Sequence, residues 1–227
     1  MFIFDPRYFI FIGPAFLLGI YAQFKVKSTY AKAARLPARL SGAATARHIL
    51  DEAGLSNVNI EQVPGHLTDH YDPRHKVLRL SGDIFNGRTL AAAGIAAHEA
   101  GHAIQDAKNY APLVIRNAAV PVASFGSNIG IWMLFGGMIL SSYAFGPLLM
   151  WAGIALFGAV VFFQVVNLPV EFDASARAKA VLVERGIVPQ DEMVHINKVL
   201  NAAALTYVAA TLQAIMTLLY YIMRARD

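Results

Sequence analysis

Residues 98–102 read His98-Glu99-Ala100-Gly101-His102, an H-E-x-x-H pentad. Residues four apart share one face of a helix, so His98 and His102 can turn both imidazoles toward one metal ion. Glu99 sits one step round and can reach a water at that metal without being a ligand. Zinc in such a site lowers the pKa of its water to about 7, and a neighbouring carboxylate can take the proton as the water attacks. The pentad therefore predicts one Zn2+ per chain, with Glu99 as the catalytic base. The plain alternative is a buried helix with two satisfied histidines. It fits poorly, because the lead-in from Leu90 to Ala97 is small and apolar and the helix must pack inside. Two imidazoles and a carboxylate are costly there without partners.

Catalytic zinc takes three protein ligands and keeps one position open. The chain has no cysteine, so thiolate ligands, structural disulfides and a cysteine nucleophile are all excluded. The third ligand must be His, Asp or Glu. Glu171 is the leading candidate, in Asn167-Leu168-Pro169-Val170-Glu171-Phe172-Asp173-Ala174, directly after a long apolar run. Pro169 is expected to start a new helical turn and to place Glu171 at a membrane surface. An acid at a helix start is otherwise an ordinary partner of the helix dipole. Asp173, Glu184 and His195 are the competing ligands. Tyr207 and His195 are candidates for stabilising an oxyanion.

The elements that must position these residues begin with the membrane. Of 227 residues, 56% are hydrophobic and only 15% charged, against about 25% charged in soluble domains. Mean hydropathy is +0.47. The net charge of +4 comes without a dense basic run, so no nucleic-acid partner is expected. A first apolar run covers Tyr8–Phe24, just long enough for a bilayer core of about 30 Å. Basic residues follow it rather than precede it, which argues for an uncleaved anchor. Residues 118–168 carry no Asp, Glu, Lys or Arg and predict two spans, with a turn at Ser141–Pro147. Glycines 126, 130, 136, 137, 153 and 158 offer small surfaces for helix packing. A fourth run, Ala202–Met223, is interrupted by Thr206, Thr211, Gln213 and Thr217, so that crossing is the least complete.

Sixteen of the nineteen basic residues fall between Lys25 and Arg116 or between Arg177 and Lys198. The positive-inside rule puts both regions in the cytoplasm, on the same side as each other. Before the pentad, Ser41–Glu52 reads as an amphipathic helix capped by Ser41 and stopped by Gly54. Asn57–Val63 and Lys76–Ser81 read as strands. The edge of Val77, Leu78, Arg79 and Leu80 is a possible rail for an extended substrate backbone. The pentad helix is expected over about Arg88–Lys108. Between the strands, His66, Asp69, His70, Asp72 and His75 suggest a capping network around Asp72-Pro73 or a loop near the active site, with a second metal site as the alternative.

Four segments then carry a resemblance: Asp69-His70-Tyr71-Asp72-Pro73, Val77-Leu78-Arg79-Leu80-Ser81, Ala96–Gln105 around the pentad, and Leu168–Ser175 around Glu171. Together they resemble the YugP-type bacterial membrane zinc metallopeptidases, over about residues 5–222. The resemblance implies a neutral zinc metallopeptidase in the plasma membrane of a bacterium and brings no substrate with it. A more distant likeness is to the HtpX-type and CAAX-prenyl membrane proteases. Those place an Asp four residues after the third ligand, where it orients a ligand histidine. Here that position is Ser175, and the acid is Asp173, about 200° round the helix from Glu171. Both are therefore candidates for orienting the histidines, and neither inherits the role directly.

The expected fold is mainly α and integral to the membrane: about four transmembrane helices plus a small zincin-like α+β cytoplasmic unit. The expected segments are an anchor (1–25), the zincin-like unit (26–115), a transmembrane hairpin (116–168), a cytoplasmic segment with the third ligand (169–201) and a last membrane helix (202–227). The expected function is zinc-dependent endopeptidase cleavage of membrane or membrane-proximal proteins and peptides, with membrane lipid as the surroundings and the active site on the cytoplasmic side. No partner protein is implied. The rival is a non-catalytic metal-binding membrane protein, a peptide-binding assembly factor or a metal sensor. Both bind zinc; only the enzyme needs Glu99.

Overall fold

A computed structural model describes residues 5–226; residues 1–4 of the expected anchor and residue 227 lie outside it. The chain is mostly helical. It runs α1 (Pro6–Ala33), α2 (Gly42–Glu52), β1 (Asn59–Val63), β2 (His70–Asp72), β3 (Val77–Ser81), α3 (Gly82–Asn86), α4 (Leu90–Ala107), α5 (Ala111–Phe125), a π turn at Gly126–Gly130, α6 (Ile131–Ile139), α7 (Gly146–Glu184) and α8 (Met193–Arg226). Two compact units emerge. One comprises residues 1–22, 114–168 and 206–227, the other residues 23–113 and 169–205.

The first unit holds the apolar stretches. Among the described residues four helical runs are long and apolar enough to cross a membrane: Pro6–Ala33, Ala111–Ile139, Gly146–Glu184 and Met193–Arg226. The turn expected at Ser141–Pro147 separates α6 from α7. Glycine makes that hairpin tight. A Cβ on Gly137 would lie 2.6 Å from the Met150 backbone nitrogen, and one on Gly153 would lie 2.8 Å from that of Leu134. The fourth run is a single helix of 34 residues, and its threonines do not break it. The Thr211 hydroxyl donates to the Tyr207 carbonyl, which satisfies it within the helix.

The second unit is α+β. Ser41 caps α2 as expected, its Oγ accepting from the Ala44 N–H at 3.2 Å, and Gly54 ends the turn at φ +74°. Thr89 caps α4 in the same way, through the Ala92 N–H at 3.2 Å. Along α4, Leu90, Ala91, Ala92, Ala93, Ala96, Ala97, Ala100 and Ala103 are buried in the core with Ile49 and Leu50 of α2 and Leu182 of α7. The alanines bring the neighbouring elements close, and the few polar residues of α4 find their partners on β2 and α7.

Two expectations need correction. The sheet has three strands in the order β1-β3-β2. β3 is therefore central, parallel to β1 and antiparallel to β2. Val77, Leu78 and Arg79 have no free edge for a substrate, because they are paired on both sides, and Leu80, paired with β1 alone, leaves no run of edge for an extended backbone. Pro169 does not restart a helix either. It sits inside α7, which runs unbroken for 39 residues. A proline within a helix removes one N–H donor, and a long helix can carry that loss.

Candidate metal centre

α4 and α7 build the centre together. Gly101, in the middle of the pentad, faces the backbone of Ala174 on α7. A Cβ there would lie 2.7 Å from the Ala174 carbonyl oxygen. The missing side chain lets the two helices touch where His98, His102 and Glu171 must converge.

The three residues form a tight group. A ligand atom from each lies within 4.8 Å of the others. Glu171 Oε2 is 3.3 Å from His98 Nε2 and 3.7 Å from His102 Nε2. The imidazole rings stand nearly perpendicular, with centroids 4.8 Å apart. All three side chains are largely buried, Glu171 to 5% exposure. Its Oε2 is buried without a hydrogen-bond partner. A carboxylate oxygen left so would be costly. Two imidazole nitrogens beside it complete an N, N, O donor set, which suits Zn2+. The residues present thus fit the ion. Burial alone would push the Glu171 carboxyl up, but His102 and His98 outweigh it and hold the group well below the usual carboxylate range. His102 is the converse. Burial pulls it down, and Glu171 and Glu99 more than restore it, so its pKa is raised.

Glu99 stands beside the group and is 9% exposed. Its Oε2 accepts the backbone N–H of Tyr71 at 3.1 Å. That contact brings β2 to the centre and leaves Oε1 as the oxygen not held by the strand. Tyr71 is fastened twice, since its hydroxyl donates to Asp106 Oδ2 at 2.7 Å, one turn beyond the pentad. Lys76 Nζ reaches the same oxygen at 2.5 Å. Burial, and then Asp106, push the Tyr71 phenol up.

Ser175 and Asp173 are both at the centre, in different ways. Ser175 Oγ is 3.2 Å from His98 Nδ1. Asp173 does not touch a histidine; it accepts from Gln105 Nε2 at 2.8 Å and from Arg177 Nε at 2.5 Å. Gln105 in turn bonds His102, with its Oε1 3.0 Å from Nδ1. Gln105 and Tyr71 were not singled out from the sequence. The signal for Gln105 was present, a polar residue three after His102 on an apolar helix, which places it on the histidine face. Nothing local marked the backbone N–H of Tyr71.

The remaining candidates lie elsewhere. His195 is at the start of α8, its N–H on the Glu192 carbonyl at 3.1 Å, and Glu184 ends α7; neither belongs to the His/His/Glu group. Tyr207 is on the part of α8 that belongs to the first unit. Among the described residues the cluster at 66–75 forms no second metal group. Only Asp72 and His75 of it form the capping network: Asp72 accepts from the N–H groups of Arg74 and His75 and pairs with the side chains of His75 and Arg79, both at 2.7 Å, while Asp69 accepts from Ser81, His66 pairs with Asp83 and His70 bonds the Thr68 carbonyl. Those two side chains hold the Asp72 carboxyl well below its usual range.

With this geometry in place, the comparisons decide the family. The family described as "putative neutral zinc metallopeptidase" matches residues 8–226. The chain belongs to it. It is 47% identical over 218 residues to the protein named "Putative membrane protease YugP" of Bacillus subtilis (strain 168), covering 95% of each. No solved structure matches. A zinc metallopeptidase needs one Zn2+, and this family member holds a His, His, Glu group positioned for it.

Proposed function

We propose that this protein is a zinc-dependent endopeptidase working at a membrane surface, with membrane proteins or peptides released near the bilayer as substrates. His98, His102 and Glu171 hold the ion and Glu99 is the general base. The observation that carries this reading is the buried, unpartnered Glu171 oxygen facing two imidazole nitrogens, with the Glu99 carboxylate alongside. When bound, the ion polarises the peptide carbonyl and acidifies water.

The chain supplies the rest. The Tyr71 N–H holds one oxygen of Glu99 and leaves the other to take the proton of the reacting water. Glu99 takes a proton from that water during attack and returns it to the leaving amine, a role worth typically 10²–10⁴-fold. β2, and not β3, is the strand that stands beside the catalytic base. β3 covers one side of β2, and the Tyr71 N–H on the other side points to Glu99. The distribution of basic residues supports a cytoplasmic location for the unit carrying the centre.

The test is Glu99→Gln against wild type, as full-length protein in detergent, on a panel of membrane and unfolded substrates. The variant should keep its zinc and lose activity by two orders of magnitude or more. Cleavage at the wild-type rate would end the base assignment. Zinc retained at full occupancy in both His98→Ala and His102→Ala would end the ligand assignment.

A further inference from the structure

Gln105 is the only fully buried residue of its kind on α4, with no exposed surface at all. A primary carboxamide there needs a partner for its oxygen and for each of its two N–H groups. It has three. Nε2 donates at 2.8 Å to the Val170 carbonyl, on the residue just before Glu171, and at 2.8 Å to Asp173 Oδ2. Oε1 faces His102 Nδ1 at 3.0 Å.

The two Nε2 partners are a backbone carbonyl and a carboxylate, and both can only accept. Turning the amide over would set its oxygen against two acceptors, so one orientation alone satisfies the network. Oε1 must then be the atom at His102. Because a carbonyl oxygen only accepts, His102 Nδ1 must carry the hydrogen. In the neutral imidazole that binds a metal, Nε2 then keeps the lone pair, and Nε2 is the atom 3.7 Å from Glu171. Arg177, bonded to the same Asp173 oxygen, keeps that carboxylate in place. His98 lacks such a lock. Its Nδ1 meets the Ser175 hydroxyl, which can donate or accept.

We propose that Gln105 is a positioning residue of the metal centre: anchored by the Val170 carbonyl and the Asp173–Arg177 pair, it fixes the tautomer and the ring orientation of His102. Asp173 thus reaches a ligand histidine through a carboxamide, while Ser175 serves the other histidine directly. Gln105 also ties α4 to the turn of α7 that carries Glu171, so the same side chain sets one imidazole and the spacing to the facing carboxylate. The inference rests on the ligand set proposed above.

The experiment measures Zn2+ affinity of full-length protein in detergent by competition with a chromophoric chelator, with thermal melts of the metal-free protein alongside. Gln105→Met keeps the length and packing of the side chain and removes its hydrogen bonds. It should weaken zinc binding about 10–100-fold, the usual effect of losing a partner behind a ligand. Gln105→Glu should do no better, because its second oxygen would face the Val170 carbonyl and Asp173. Adding Asp173→Asn to Gln105→Glu should recover much of the affinity, since the new carboxamide can donate across that contact. A residue that only filled the core would shift the melts and leave zinc affinity unchanged. Affinity within twofold of wild type in folded Gln105→Met overturns the proposal, as does a double variant no better than Gln105→Glu. Should Gln105→Met not fold, the comparison of Gln105→Glu with its double variant decides. His98→Ala run in parallel separates the cases: if it keeps full zinc, the ligand set has failed and not the role of Gln105 alone.

Discussion

Gly101→Ala tests whether the α4–α7 contact sets the metal centre. The added Cβ would lie 2.7 Å from the Ala174 carbonyl oxygen and 3.3 Å from the Ala174 carbonyl carbon and Cα. A carbon–oxygen contact settles at about 3.3–3.6 Å, so the backbones must part by about 0.6 Å or more. Ala174 is backbone on a packed helix and cannot swing aside. Overpacking of this kind costs about 1–3 kcal/mol. Alanine in a helix interior recovers up to about 1 kcal/mol over glycine. The net loss of fold stability should therefore be small, about 0–2 kcal/mol. The metal centre is less forgiving, because ligand distances hold to about 0.2 Å. A displacement three times that size, between the helix with two ligands and the helix with the third, should weaken zinc binding at least 10-fold. Chelator competition measures the affinity and thermal melting the stability. Gly158→Ala is the control, since its Cβ would meet nothing within 4 Å and zinc binding should be untouched. A Gly101→Ala protein that melts higher than wild type and binds zinc as tightly would refute the reasoning.

Three further outcomes are expected. Removing zinc with a chelator should lower the melting temperature, and zinc restored to about 100 times its Kd should return about 2.7 kcal/mol of stability; a melt indifferent to zinc would show that the ion is not held by the folded state. Tyr71→Phe deletes the bond to Asp106 and keeps the backbone N–H on Glu99, so it should cost about 0.5–1.5 kcal/mol in melting experiments and leave zinc affinity in place; a large drop in affinity would mean the phenol does more than fasten the strand. Reporter fusions after Asp106 and after Glu184 should both read cytoplasmic, and opposite readings would remove the topology on which the Glu171 assignment depends.

The readable parts of this molecule are those written in one stretch of chain. His98 and His102 share a helix face by spacing alone, and the alanines before them announce that the face is buried. The cap at Ser41 belongs to the same class, since the capping side chain and the Ala44 N–H that it accepts are three residues apart. Glu171 was legible for a different reason: an acid placed directly after some fifty residues without a charge has few ordinary uses. What failed was pairing at a distance. Val77–Ser81 alternates as a strand should, yet nothing in those residues says whether one neighbour or two will flank it. β2 is only three residues long, too short to announce itself, and it takes the side that a substrate would have needed.

Gln105 shows how far such reading reaches. Its spacing from His102 places it on the ligand face, so its direction was available from the sequence. Its meaning was not, because an amide has no fixed role until its partners are known. Those partners, Val170 and Asp173, are 65 and 68 residues away on α7. Asp173 alone looked wrongly placed, about 200° round the helix from Glu171 and two residues short of the position expected from the likeness to HtpX-type proteases. A carboxamide on the facing helix makes up the difference, since it can accept from an imidazole with one end and donate to a carboxylate with the other. The same polar contact can then be built from an Asp at one position, or from a Gln and an Asp on two helices. Either arrangement makes a ligand histidine depend on how closely the two helices approach; here the link to His102 runs through Gln105, which is why Gly101 and Gln105, neither of them a ligand, should govern zinc affinity together.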